Sequence, residues 1–197
     1  MKTIAIFASG TGTNAVNLLE EQRRFPQVQV GCVVVDTLTS KLPELLAQRF
    51  PQLAVYRIIP DRTLSGAQKK AEHEGRILEK LRAHAVEWIL LAGYMRIVGP
   101  VLLEAFPDRI INIHPSLLPQ YPGLHGYERA FSDKVSSGVT IHFVDGGLDT
   151  GPVILQKSFP RFDTDSLSDF IERGKRVEWE LYPEILRRIS HNLLAGE

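Results

Sequence analysis

The chain has one cysteine, so no intramolecular disulfide can be drawn; Cys32 lies in the apolar run Val30-Gly-Cys-Val-Val-Val35 and reads as a small core residue of a reducing compartment. No apolar run approaches the roughly 20 residues of a membrane-spanning helix. The first such run, Ile4-Ala-Ile-Phe-Ala8, gives way at once to Ser-Gly-Thr-Gly, which suits a strand and its turn rather than a secretory signal. Neither sign of charge is in excess. Lysine plus arginine number 23, as do aspartate plus glutamate, which argues against electrostatic capture of nucleic acid. Repeats, low-complexity tracts and linker-like stretches are also lacking, so residues 1–197 read as one domain, expected to be cytoplasmic. There is no Gly-x-Ser-x-Gly elbow to support a serine hydrolase. His114, His125 and His142 follow no short ligand spacing and Cys32 has no companion, so no metal site is expected.

What is present is an alternation of short β-rich runs with longer helical patterns, which predicts an α/β fold: a mostly parallel twisted sheet with helices on both faces. Strands are expected at Thr3–Ala8, Val28–Val35, Leu53–Ile58, Trp88–Leu91 and Arg109–Ile113, then at Val139–Val144 and Val153–Phe159. Helices are expected near 13–24, with Thr13 or Asn14 as cap, then near 41–49, 65–84, 99–105 and 127–133. A last helix, near 166–191, meets a kink or break at Tyr182-Pro183. His73 and His84 fall on a charged helix, where they and Lys69 and Lys70 read as solvated; His191 lies near the tail.

Three stretches carry chemistry. Ser9-Gly-Thr-Gly-Thr-Asn-Ala15 sits between a strand and a helix, where free amides favour a phosphate. The same stretch satisfies Gly-x-Gly-x-x-Ala, and Asp36 ends the next strand where a dinucleotide's ribose would be read, so a nicotinamide dehydrogenase stays open on this motif alone. Asn112 and His114 lie two apart at a strand's C-terminal end and so share a face; Asn offers a neutral donor to an oxyanion and His changes protonation near neutral pH. They open a Pro- and Gly-rich stretch to Gly126, an irregular length that is usually functional. Asp149, among Gly146, Gly147 and Gly151, is by itself a turn residue, but near a histidine it could orient that ring or relay a proton.

At Asn112-Ile-His-Pro-Ser-Leu-Leu-Pro119 the sequence resembles the folate-dependent formyltransferase superfamily, and Gln120-Tyr-Pro-Gly-Leu-His125, with Pro122 where other branches typically carry Arg, narrows it to the branch whose acceptor is glycinamide ribonucleotide. Ser9–Asn14, Leu91-Ala-Gly-Tyr-Met-Arg-Ile-Val98, Val139–Val144 and Leu148–Gln156 agree in order. The resemblance implies a Rossmann-like formyltransferase fold and transfer of a formyl group from 10-formyltetrahydrofolate, the co-substrate, to the glycinamide amine in purine biosynthesis. It implies catalytic roles for Asn112, His114 and Asp149, and ribonucleotide contacts at Gly12, Thr13, Asn14 and Glu178. It places the folate against Met95, Arg96, Ile97 and Val98, with Asn112 and Lys70 in reach, and a cis bond at Leu118–Pro119. No metal, nucleic acid or membrane is implied, and the chain would act as monomer or homodimer. It departs from the usual pattern at Asp36-Thr-Leu-Thr-Ser40, where a Ser-Asn pair is common, at Lys70 for Arg and at Trp179 for His. The formyltetrahydrofolate hydrolases, which share the catalytic set, normally carry an extra N-terminal domain, whereas here the first strand is expected at residue 3.

Overall fold

The computed structural model describes residues 1–194. The elements run β1 (Lys2–Ala8), α1 (Thr13–Glu21) with a 3-10 turn at Gln22–Arg24, β2 (Val28–Val35), α2 (Leu42–Arg49), β3 (Ala54–Arg57), α3 (Gly66–Ala83), β4 (Trp88–Leu91), α4 (Pro100–Ala105), β5 (Ile110–His114), α5 (Gly126–Ser132), β6 (Ser137–Phe143), β7 (Val153–Phe159), α6 (Leu167–Leu181) and α7 (Pro183–Ser190). The strands form one sheet in the order β3-β2-β1-β4-β5-β6-β7. β1 to β5 pair in parallel; β6 and β7 join antiparallel at one edge. The α/β, mostly parallel reading therefore holds. The antiparallel pairing of β6 with β7 follows from their short connection, because a parallel return needs a long crossover.

Successive strand side chains point to opposite faces, and both faces are covered. Ile4, Ile6, Val33, Leu90 and Ile111 pack with Leu18 of α1, Phe170 of α6 and Ile185 of α7. Ala5, Phe7, Cys32 and Ile89 pack on the other side with Ile77 and Leu81 of α3 and Leu102 of α4. Burial on both faces is why β1, β2 and β4 read as nearly continuous apolar runs. It also pushes the Cys32 thiol up to about 12, keeping it protonated and inert.

Three local expectations are corrected. Helix α1 is not capped by Thr13 or Asn14: Gly12 is the N-cap, in the left-handed region at φ 73°, and both polar residues lie inside the helix. His73 is not solvated. It is buried, with Nε2 donating to the Ile58 carbonyl at 2.9 Å, because it lies one and two helical repeats before Ile77 and Leu81, on the inward face of α3. His84 is half-buried, its Nε2 2.8 Å from the Tyr56 hydroxyl. The C-terminal helix does break at Tyr182-Pro183, where proline, lacking an N–H, opens α7. Tyr182 is fully buried and donates its hydroxyl hydrogen to the Leu91 carbonyl at 2.9 Å, with the Ile111 carbonyl at 3.4 Å. The Leu118–Pro119 bond is cis. Among the described residues no helix is long and apolar enough to cross a membrane.

Candidate active site

The carboxyl ends of parallel strands are where open α/β sheets place ligands. There the β1–α1 turn sets the amides of Thr13 and Asn14 ahead of the first bond of α1, Val16 N–H to the Gly12 carbonyl at 2.9 Å. Gly12 is needed twice over: its φ is positive, and a Cβ would stand 2.5 Å from the δ carbons of buried Leu42. Asn14 is buried, donating through Nδ2 to Glu178 Oε2 at 2.6 Å, while its Oδ1 has no partner. The other Glu178 oxygen accepts from the Tyr127 hydroxyl at 2.6 Å. Burial, and then the Glu178 charge, push the Tyr127 phenol well above its usual value, so it stays a donor. Its ring fits because residue 174 is glycine: a Cβ there would lie 2.5 Å from the ring. The structure thus brings Glu178, in the last turns of α6, onto the start of α1, 164 residues earlier.

Asn112 and His114 occupy β5, and across the antiparallel pairing Asn112 stands opposite His142 of β6. The Asn112 Nδ2 is 3.2 Å from His142 Nε2, and His142 Nδ1 is 2.8 Å from the Phe143 carbonyl. A carbonyl can only accept, so Nδ1 carries the proton and Nε2 takes the Asn112 hydrogen. This is the neutral imidazole, in keeping with the burial that lowers the His142 pKa. The Asn112 amide is thereby oriented, with its second Nδ2 hydrogen free of His142. His114 is buried; its Nε2 donates to the Tyr121 carbonyl at 2.9 Å, leaving Nδ1 facing Asp149 Oδ2 at 3.4 Å. Asp149 comes from the β6–β7 loop in the left-handed region, φ 55°. The Gly123 amide donates to its Oδ2 at 2.7 Å, and its Oδ1 lies 3.6 Å from His142 Nε2. Asp145 shapes that loop by accepting from the Gly147 amide at 3.0 Å and the Thr150 hydroxyl at 2.8 Å. Gly151 lets the chain pass Phe143, whose carbonyl oxygen a Cβ would meet at 1.9 Å.

Met95–Val98 link β4 to α4. Met95 and Ile97 are exposed and Val98 is in the core. Met95, Arg96, Ile97 and Lys70 line a cavity of about 390 Å³ with Pro60, His73 and Tyr94. The Met95 amide donates to Ser9 Oγ at 2.9 Å, tying this segment to the glycine turn. Asp36 does not face outward as a ribose-reading acid would: it is buried and paired with Arg96. His125 stands apart, its nearest charged partner Glu128 at 3.6 Å.

Asn112, His114 and Asp149 therefore converge, and Gly12, Thr13 and Asn14 converge with Glu178. Sequence reasoning passed over two participants. His142 had a visible signal in Val139-Thr-Ile-His-Phe-Val144, where strand alternation puts it on one face with Thr140, but its partner on the neighbouring strand, 30 residues earlier, cannot be read from spacing. Tyr127 gave none beyond opening a helix.

A family model described as "Formyl transferase" matches residues 2–186. A phosphoribosylglycinamide formyltransferase of Bacillus subtilis is 38% identical over 193 residues, which cover 96% of this chain and 95% of that protein. One from Haemophilus influenzae is 32% identical over 198 residues, 98% of this chain and 90% of that protein. Among solved structures, the phosphoribosylglycinamide formyltransferase of Bacillus halodurans superposes with a TM-score of 0.86 at 38% identity, covering 99% of this chain and 96% of that one. Glycinamide ribonucleotide transformylase 1 of Symbiobacterium toebii gives 0.88 at 36% identity, covering 100% and 91%. Fold, motif order and likeness along nearly the whole length agree, and the chain belongs to the formyl transferase family, in its phosphoribosylglycinamide formyltransferase branch.

Proposed function

We infer that the chain transfers the formyl group of 10-formyltetrahydrofolate to the amine of glycinamide ribonucleotide, a step of purine biosynthesis. The observation that carries this reading is the convergence of Asn112, His114 and Asp149, with Asn112 oriented by a neutral His142. When the amine adds to the formyl carbon, the carbonyl oxygen becomes negative, and the free Nδ2 hydrogen of Asn112 with a protonated His114 Nδ1 are the donors for it. His114 Nε2 is committed to Tyr121, so Nδ1 is the nitrogen that addresses the reacting group. Asp149 beside it accepts the amine proton, directly or through a water, and the folate nitrogen takes a proton as it leaves. None of these steps needs a covalent enzyme intermediate.

The ribonucleotide phosphate is assigned to Gly12, Thr13 and Asn14 at the start of α1, and its sugar to Glu178. The folate is assigned to the Met95–Val98 main chain, with Lys70 toward its acidic tail. Residues of one continuous sheet and both its faces supply these subsites, which supports reading the chain as a single catalytic domain. The test is incubation with both substrates, following formylated ribonucleotide and free formate. Formylated product bears out the reading; formate alone would make the chain a hydrolase of the formyl folate.

A further inference from the structure

The Met95–Val98 segment leaves its main chain open. Among the described residues, Arg96, Ile97 and Val98 make no main-chain hydrogen bond, so their N–H and C=O groups are free to read a flat heterocycle. Such a segment needs holding by other means. At one end the Met95 amide is on Ser9 Oγ; at the other, the Glu74 carboxylate accepts from the amides of Gly99 and Leu102. Between them, the polar tether among the described residues is the pair of Arg96 Nε with Asp36 Oδ2 at 2.5 Å.

Asp36 is an unusual residue for its place. It immediately follows β2 with 1% of its side chain exposed, and its Oδ1 is buried without a hydrogen-bond partner. A carboxylate held that far from water is costly unless a cation meets it, and Arg96, itself half-exposed, is the cation that does. The residues after Asp36 turn the other way. Thr37 Oγ1 donates to the Ser9 carbonyl at 2.7 Å and Ser40 Oγ to the Gly10 carbonyl at 2.8 Å, bracing the glycine turn. One short segment thus touches both proposed subsites through different residues.

Resting on the functional reading above, we propose that Asp36 is a positioning residue for the formyl donor: it holds the Arg96 guanidinium and so fixes the Met95–Val98 main chain in the arrangement that binds the folate ring. The ribonucleotide side is braced separately, by Thr37 and Ser40.

The experiment compares wild type, Asp36→Asn, Arg96→Gln and the double variant by initial rates with both substrates, and by hydrogen exchange read by mass spectrometry without ligands. Each single variant should raise KM for 10-formyltetrahydrofolate about tenfold while KM for the ribonucleotide and kcat at saturation stay within about threefold. The double variant should be no worse than the worse single one, because both remove one contact. In peptides spanning 94–99, the hydrogen-bonded amides of Met95 and Gly99 should exchange faster in Asp36→Asn, with those of 112–118 unchanged. An unchanged folate KM in an active protein, unchanged exchange at 94–99, or an equal rise in both KM values would overturn the proposal. Should Asp36→Asn fail to fold, Arg96→Gln, at a half-exposed position, tests the same pair. A wild-type protein that forms no formylated product refutes the functional reading itself, and that control separates the two failures.

Discussion

Replacing Glu178 by Gln removes one charge and almost no volume, at a side chain whose partners are known atom by atom. An ionised carboxylate offers about four lone-pair positions. Two are taken, one by Asn14 Nδ2 and one by the Tyr127 hydroxyl, both at 2.6 Å, leaving the others for sugar hydroxyls. Gln can keep both internal contacts: its carbonyl accepts from Asn14, and its amide donates to Tyr127 once that hydroxyl turns away. The fold should therefore survive with little change in Tm, while the bonds to the sugar lose their charge assistance. Hydrogen bonds to a charged group contribute about 1.5–3 kcal/mol. At 1.4 kcal/mol per decade this is a rise of about 10- to 150-fold in the ribonucleotide KM. The assay is initial rate against ribonucleotide concentration at saturating formyl donor, then the reverse. A ribonucleotide KM within about threefold of wild type would leave Glu178 as a brace for Asn14 and Tyr127 only. A rise confined to the folate KM would mean that the subsites are assigned backwards.

His114→Ala and Asp149→Asn should each lower kcat at least about a hundredfold in steady-state assays, the lower range for a positioned acid or base; Asn tolerates the left-handed backbone at 149, so a fall in kcat there without loss of Tm points to the lost carboxylate. Gly12→Val should weaken ribonucleotide binding far more than folate binding in calorimetric titration, and also lower Tm because of its φ of 73° and the Leu42 contact, whereas Gly10→Ala, whose Cβ meets nothing within 4 Å, should leave Tm unchanged. For pH, burial first of all lowers the pKa of both His73 and His142, so the unfolded chain binds protons that the folded one refuses. Stability from these two is complete above the unfolded value of about 6.5 and is lost as pH falls from there through the folded values. Urea midpoints should decline over that window, and less steeply in His73→Gln, whose amide can still donate to the Ile58 carbonyl; equal slopes would refute this.

Much of this was legible in the chain itself, for identifiable reasons. Buried parallel strands need apolar residues on both faces, so β1, β2 and β4 announce themselves, and the proline at 183 marks the break between α6 and α7. The pairing of Asn112 with His114 follows from strand alternation alone. What escaped depends on long-range placement. Gly12 rather than Thr13 or Asn14 caps α1, and the Asn14 side chain is engaged instead by Glu178 from α6, a partner 164 residues away. His73 hides among charged neighbours on α3, although its spacing to Ile77 and Leu81 is that of an inward face. His142 becomes meaningful only when β6 returns antiparallel and sets it opposite Asn112.

The hydroxyl of Tyr182 reaches the carbonyls of Leu91 and Ile111, the residues just before the Ala92–Gly99 connection and just before Asn112. The last helices are therefore a keystone: they pack on one face of the sheet, and the Tyr182 hydroxyl spans β4 and β5, the strand that carries Asn112 and His114. This sets a rule for anyone recutting the gene. Neither end of α7 is free for this: Leu194 beyond it is in the core, and a truncation at the natural-looking joint after α6 would take the Tyr182 hydroxyl away from the Leu91 and Ile111 carbonyls beneath the floor of the site. Synthesis also acquires an order, since a nascent chain stalled before residue 182 holds Asn112, His114 and Asp149 yet lacks the hydroxyl that spans β4 and β5.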